Sequence, residues 1–302
     1  MVLTPRDLEI FRLLCRYRYL NSEYLHAFVG GQSEKRFKER LGDLFHEGYL
    51  DRPQRQWDFA VCHQGPVVYE SGERSEQIGQ RHFTNLAHPV TFLRAHQHRQ
   101  FQHSTMICHV LAAVDLLTHR NPAIGFIGWN EILAKGPVSL QSASRPFAIS
   151  VPIANSTEYG QIEKSLLVPD AIFGIRYNEV GSIKFRFFAL EIDRATMPIV
   201  RSDPRGVSYL RKLLAYRRMI ELRLYKSFWG LPNLMVLTIS TNENHLQHVI
   251  DQATEISKAP SPFFFKALAE GNANDPGVAQ CHLKFPWLGA DGRNLDITKV
   301  NS

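Results

Sequence analysis

Residues 166–177, LLVPDAIFGIRY, and 183–193, IKFRFFALEID, decide the reading of this chain. Both are apolar runs rich in β-branched and aromatic residues, and Asn178 to Ser182 between them contains a glycine, so they read as two strands joined by a hairpin turn. Side chains alternate along a strand. Glu191 and Asp193 therefore share one face, while Leu190 and Ile192 share the other. Two acids inside an apolar strand are costly to bury unless something compensates them. Asp170 follows Pro169 at the head of the first strand, and a hairpin pairing brings it beside Glu191. Asp170, Glu191 and Asp193 are thus candidate catalytic acids and ligands for Mg²⁺ or Mn²⁺, cations that take oxygen donors. Such an ion activates water and offsets charge on a phosphodiester. The alternative is a structural salt bridge from these acids to Arg186, Arg194 or a helix arginine.

Working outward, the charge distribution marks the next element. The 302 residues carry a net charge of +6, and residues 121–230 hold 15 basic against nine acidic side chains. Much of that surplus lies between Arg201 and Lys226, in a helix expected over about 207–226. Lys212 and Tyr216 are one turn apart on it, and Lys212 is a candidate catalytic residue. Arg211 and Arg218 are candidate contacts to a nucleic-acid backbone. A strand over Leu234–Thr241 and a helix over Asn244–Ile256 complete an α/β core, and residues 259–302, punctuated by Pro and Gly, read as an irregular tail packed onto it.

Toward the N-terminus, Thr4, Pro5 and Asp7 form a helix start, with Leu8, Phe11, Leu14 and Cys15 at helical spacing. A short helix follows from an Asn21 or Ser22 cap to Gly30-Gly31, and a third spans Ser33 to Glu47 with Phe37, Leu41, Leu44 and Phe45 inward. Tyr49-Leu50 and Val67–Tyr69 read as two short strands. Three helices followed by a hairpin make the winged helix-turn-helix pattern, whose third helix enters the major groove of DNA. Lys35, Arg36, Lys38 and Arg40 on that helix, and Arg55 in the wing, are the candidate DNA contacts. From about Pro89 to Leu117 the chain reads as helical and holds His96, His98, His103 and His109, without an H-E-x-x-H signature. A linker helix is the preferred reading over a metal site. The expected organisation is a winged helix over 1–75, a helical linker over 76–120, a nuclease-like domain over 121–258 and the tail over 259–302.

Four cysteines without a C-x-x-C pair argue against a disulfide framework or zinc ribbon. The charged N-terminus and the absence of a long apolar run point to a cytoplasmic protein with no membrane partner. No P-loop, G-x-S-x-G or dinucleotide fingerprint occurs, which sets aside NTPase, serine-hydrolase and Rossmann readings.

Pro169-Asp170 followed about twenty residues later by Glu191-Ile192-Asp193 and a helix resembles the PD-(D/E)xK nuclease superfamily. More narrowly, the winged helix, the histidine-bearing helix, VPDAIF, FALEIDRAT and KLLAY in that order resemble the replication-relaxation family to about residue 240. In that likeness Glu191, Asp193 and Thr196 match an E-x-D-x-x-T string, and Lys212 and Tyr216 a K-x-x-x-Y string. The resemblance implies an α+β or α/β chain: a winged helix-turn-helix, a helical linker and a restriction-endonuclease-like domain. It also implies a double-stranded-DNA-binding, DNA-processing protein of a plasmid or mobile element, acting in replication or conjugative transfer with other proteins of those processes, as a metal-dependent endonuclease or nickase. The alternative is a non-catalytic regulator or relaxosome accessory factor on a degenerate nuclease fold; a dimer is compatible with either. One departure bears on activity: the position where the superfamily carries a lysine is Asp193.

Overall fold

Helix starts and strand punctuation act where the residues place them. A computed structural model describes residues 1–31, 33–56, 65–82, 101–119, 121–153, 164–195, 208–257 and 259–300. Cys62, His96, His98 and Thr196 lie outside the described residues, as does the side chain of Arg55. The chain divides into two units, 1–117 with 270–280, and 118–269 with 281–302.

In the first unit, α1 (Pro5–Tyr17) starts on a capping box in which Thr4 and Asp7 satisfy each other's backbone N–H groups. A two-residue strand β1 (Leu20–Asn21) leads into α2 (Ser22–Val29), whose Asn21 cap accepts from the Glu23 and Tyr24 amides. Then come α3 (Glu34–His46), β2 (Leu50–Asp51) and β3 (Val68–Ser71), and the three strands form an antiparallel sheet in the order β1-β3-β2. The expected stripe of α1 is shifted: Phe11 and Leu14 are buried as expected, Leu8 is 39% exposed, and Ile10 and Leu13 are buried beside them. Next are α4 (Glu73–His82) and α5 (Phe101–His119). Every residue from Thr105 to Leu116 of α5 is buried, the mark of a helix enclosed on all sides. The expected linker is therefore, over these residues, a core helix. Residues 270–280 join this unit through Asn274 O, which accepts from Asn21 Nδ2 at 2.8 Å, and Ala273 O, which accepts from Tyr24 OH at 2.9 Å.

The second unit begins with β4 (Ile124–Ile127), α6 (Trp129–Lys135) and α7 (Val138–Gln141), followed by β5 (Ile149–Pro152) and β6 (Lys164–Leu167), which pair only with each other. The run read as one strand from Leu166 is thus two. Pro169 has no N–H to give a ladder, so pairing stops before it and resumes at β7 (Ala171–Glu179). β8 (Ser182–Asp193) closes a hairpin on β7 through a turn at Val180-Gly181, where Gly181 has φ +78°. The expected basic helix is split into α8 (Tyr209–Glu221) and α9 (Leu224–Trp229) by Arg223 in the left-handed region. β9 (Met235–Ser240), α10 (Glu243–Ile256) and β10 (Phe263–Ala267) follow; after two short helices over 270–284, of which residues 270–280 belong to the first unit, come strands β11 (Trp287–Gly289) and β12 (Asn294–Leu295).

These strands form one seven-stranded mixed sheet in the order β12-β11-β10-β9-β8-β7-β4, parallel at β8/β9 and β9/β10 and antiparallel elsewhere. The chain is accordingly α+β, with a large mixed sheet. Within the expected tail, residues 259–300 are not irregular: Phe263, Phe264 and Phe265 are a buried strand beside β9. Prolines and glycines between short elements made that stretch read as loop. The hairpin core is aromatic, with Phe173 stacked between Phe126 at 5.7 Å and Phe188 at 5.1 Å.

Candidate functional site

The hairpin register aligns Ala171 with Leu190, which sets Asp170 beside Glu191 as the sequence predicts. Asp170 is held there by the Ile192 amide, which donates to Oδ2 at 2.9 Å. Parallel pairing of β8 with β9 adds Thr238 next to Glu191 and Ser240 next to Asp193. The connection between two parallel strands carries α8, which lowers Tyr209, Lys212 and Tyr216 toward the acids. The site thus sits near the carboxyl ends of β8 and β9, where α/β sheets commonly bind ligands.

Glu191, 1% exposed, is held between two donors of α8: the Lys212 ammonium contacts Oε2 and the Tyr216 hydroxyl donates to Oε1. Lys212 also reaches within 4.0 Å of Asp170 Oδ1. Burial raises the Glu191 carboxyl, Lys212 and Tyr216 pull it back and the Asp170 charge pushes it up, which leaves it at about 7. Burial also holds the Tyr209 and Tyr216 hydroxyls well above the ordinary phenol range, so both remain donors at neutral pH. Tyr209 OH shares a 2.8 Å hydrogen bond with Thr238 Oγ1.

Asp193 is oriented differently. Its Oδ1 accepts from the Ala195 amide at 2.9 Å, and its Oδ2 lies 2.7 Å from His245 Nε2 in the first turn of α10. That approach is a close ion-pair contact and not an aligned hydrogen bond. Burial raises the Asp193 carboxyl, and His245 opposes the shift.

Among the described residues, no three His, Cys, Asp or Glu side chains gather into a group able to hold a metal. The expected triad of Asp170, Glu191 and Asp193 is therefore not assembled as a single group. The physical reason is that Lys212 stands between the first two acids while Asp193 is turned to His245. Asp170 and Glu191 still offer hard carboxylate oxygens. That donor pair fits Mg²⁺ or Mn²⁺, which take one or two carboxylates and complete their shell with water and phosphate.

The remaining candidates are scattered by role. Lys35, Arg36 and Lys38 are exposed on α3, Lys38 in a 2.5 Å pair with Glu34. Arg40 is tied down: its guanidinium donates to both oxygens of buried Asp7, at 3.1 and 2.6 Å, and to Val2 O. Arg211 ties α8 to β6 through Ser165 Oγ and Lys164 O, both at 3.3 Å, and Arg218 meets Glu221 at 3.3 Å. His109 is buried, stacked on Tyr24 at 4.7 Å with Nδ1 3.1 Å from Asn274 Oδ1, which is a structural role.

His245, Tyr209 and Thr238 went unread in the sequence. Tyr209 was accessible to periodicity, lying three and seven residues before Lys212 and Tyr216. His245 was not, because only the β8/β9 pairing brings it to Asp193.

No family model matches the chain, so the replication-relaxation resemblance gains no support from one, and no curated protein matches it. A match among solved structures is the SdaI restriction endonuclease, at 10% identity over 85% of this chain and 78% of that one. Its TM-score of 0.18 is too low to carry an argument about fold or site. No described helix is long and apolar enough to cross a membrane. What stands is a mixed α+β chain whose largest sheet buries two neighbouring carboxylates against one lysine.

Proposed function

We propose that this chain is a DNA-processing protein whose second unit hydrolyses a phosphodiester of DNA. The observation that carries the reading is the convergence of Asp170 and Glu191, both nearly inaccessible, on Lys212. Burying two carboxylates against one cation is a poor way to stabilise a sheet and a common feature of sites that do chemistry. Asp170 and Glu191 would hold a divalent ion, which when bound supplies water activation and charge neutralisation. Lys212 then exchanges its carboxylate partners for the phosphate, taking from the helix the role that Asp193 vacates in the strand.

The first unit supports a winged helix-turn-helix reading by its order of three helices and a three-stranded antiparallel sheet. Lys35, Arg36 and Lys38 are the exposed cations for the major groove and its phosphates. A role in replication or transfer of a plasmid or mobile element belongs to this proposal through the family resemblance alone. Contacts with other replication or transfer proteins belong to it on the same footing.

The test is incubation of the purified chain with supercoiled plasmid in Mg²⁺ or Mn²⁺, with Asp170→Asn and Glu191→Gln alongside and band shifts on the same samples. Nicking or linearisation that both substitutions abolish supports the reading. A second reading is favoured by the saturation of Glu191 with Lys212 and Tyr216: a binding protein whose cleavage site is locked. Band shifts without cleavage in either metal would select it.

A further inference from the structure

Gly42 lies in the interior of α3, where a glycine weakens a helix relative to alanine. Packing does not require it: a Cβ there would meet nothing within 4 Å, and its φ lies outside the left-handed region. A helical glycine that neither a turn nor packing demands leaves room for something outside the chain to come close. On the wheel of α3, Gly42 falls between Lys35 and Lys38 and one turn before Phe45. Exposed Glu39 and Asp43 lie further round the helix, beyond Lys35. Phe45 carries a second feature. The Arg52 guanidinium stacks on the Phe45 ring at 4.2 Å and on the Tyr69 ring at 5.3 Å, and its Nη2 donates to Tyr69 OH at 3.3 Å. Its Nε is buried without a hydrogen-bond partner. Arg12, Arg16, Arg40 and Arg74 each meet a carboxylate, whereas Arg52 meets none among the described residues. A guanidinium held by two rings and given no acid is fixed in place with its charge not neutralised.

We propose that the backbone of duplex DNA comes closest to α3 at Gly42, and that Arg52 anchors a phosphate of that backbone. This assignment rests on the DNA-binding reading of the first unit and gives it two residues that exposed charge alone does not pick out. The chemistry sets the ligand class, since a fixed guanidinium offers its N–H donors to phosphate oxygens. Lys35 and Lys38 flank the same spot, and a phosphate draws Lys38 from its exposed 2.5 Å pair with Glu34. A methyl group at Gly42 stands between that backbone and the helix, while the helix itself gains from it. Fold and ligand therefore ask for different residues at this position, which makes their demands separable.

The experiment measures binding of the full chain to a fluorescently labelled duplex of mixed sequence by anisotropy across a range of salt, with a thermal melt of every variant. Gly42→Ala should melt at or above the wild-type temperature and yet bind about tenfold more weakly. Gly42→Gln should bind more weakly still. Arg52→Met keeps an apolar stem against the two rings and should lower the slope of log affinity against log salt by about 1 on unrelated sequences. Arg52→Lys should restore that slope. Folded Gly42→Ala and Gly42→Gln that bind as the wild type does overturn the close approach. So does a Gly42→Ala that melts lower, because the fold then needs the glycine. A slope unchanged in folded Arg52→Met overturns the anchor, and Arg52→Gln takes its place if that variant does not fold. A wild-type chain without salt-dependent affinity sinks the DNA-binding reading and this assignment with it. Wild-type binding that Lys35→Ala weakens and these variants do not spares the reading and removes only Gly42 and Arg52.

Discussion

Lys212 is the residue on which both readings of the site turn. It offsets part of the burial penalty on Glu191, whose carboxyl stands at about 7 against an ordinary 4.5. For such a group the folded state holds its proton more tightly than the unfolded chain. Its contribution to stability is present below about pH 4.5 and is lost as pH rises through about 7. Lys212→Met strips the cation from that buried acid. It should cost about 3–5 kcal/mol at pH 8 and distinctly less at pH 5, where Glu191 can take a proton instead, as urea unfolding at the two pH values would show. Equal losses at both would mean that Lys212 contributes packing and no charge. His109 gives the opposite sign. Burial holds its imidazole down at about 4 against 6.5, so the stability it supports is complete above pH 6.5 and is lost as pH falls through 4. The gap corresponds to about 3 kcal/mol. His109→Phe preserves a ring on Tyr24, and its unfolding should lack that part of the acid slope; an unchanged slope assigns it elsewhere.

β8 shows at the scale of an element how one segment serves packing and site together. Its carboxyl half is buried from Phe187 to Asp193, with Phe188 and Leu190 bearing on the core and Glu191 and Asp193 on the site. Phe188 is fully enclosed and stacked on Phe173, so Phe188→Ala should cost about 3–5 kcal/mol in denaturant titrations. A loss under 1 kcal/mol would show that the sheet collapses around the gap. The hairpin pairing was readable because the period-2 pattern and a glycine turn define it locally. The break at Pro169 was readable in principle, since a proline cannot donate to a ladder. Strand β1, only two residues long, has no period to detect.

At the scale of the whole molecule, the C-terminal stretch decides whether the sheet exists. β10 is the parallel neighbour of β9, and β11 and β12 extend the sheet beyond it. A chain ending at residue 258 should therefore be insoluble or lack a cooperative melt. A cooperatively folded 1–258 would show these strands to be dispensable. The proposed DNA binding belongs to the same scale, because such binding sums many phosphate contacts. Affinity measured by anisotropy should fall steeply with salt. Lys35→Ala should reduce the slope of log affinity against log salt by about 1, across unrelated sequences. A slope unchanged by substitutions at Lys35, Arg36 and Lys38 would move the interface off α3.

Composition and periodicity by themselves determined the helix starts at Thr4 and Ser33, the β7–β8 hairpin and the placing of Lys212 and Tyr216 on one helix face, while the strand register decided that Asp170 stands beside Glu191. The first three follow from caps, alternation and helical spacing, which act over a few residues. Tertiary structure alone decided that Lys212 neutralises Glu191, that Asp193 turns away from the other acids to His245, that α5 is enclosed and that residues 263–267 are a core strand. Each depends on which strand lies beside which, a long-range choice made by the burial of the whole sheet and carried by no local pattern.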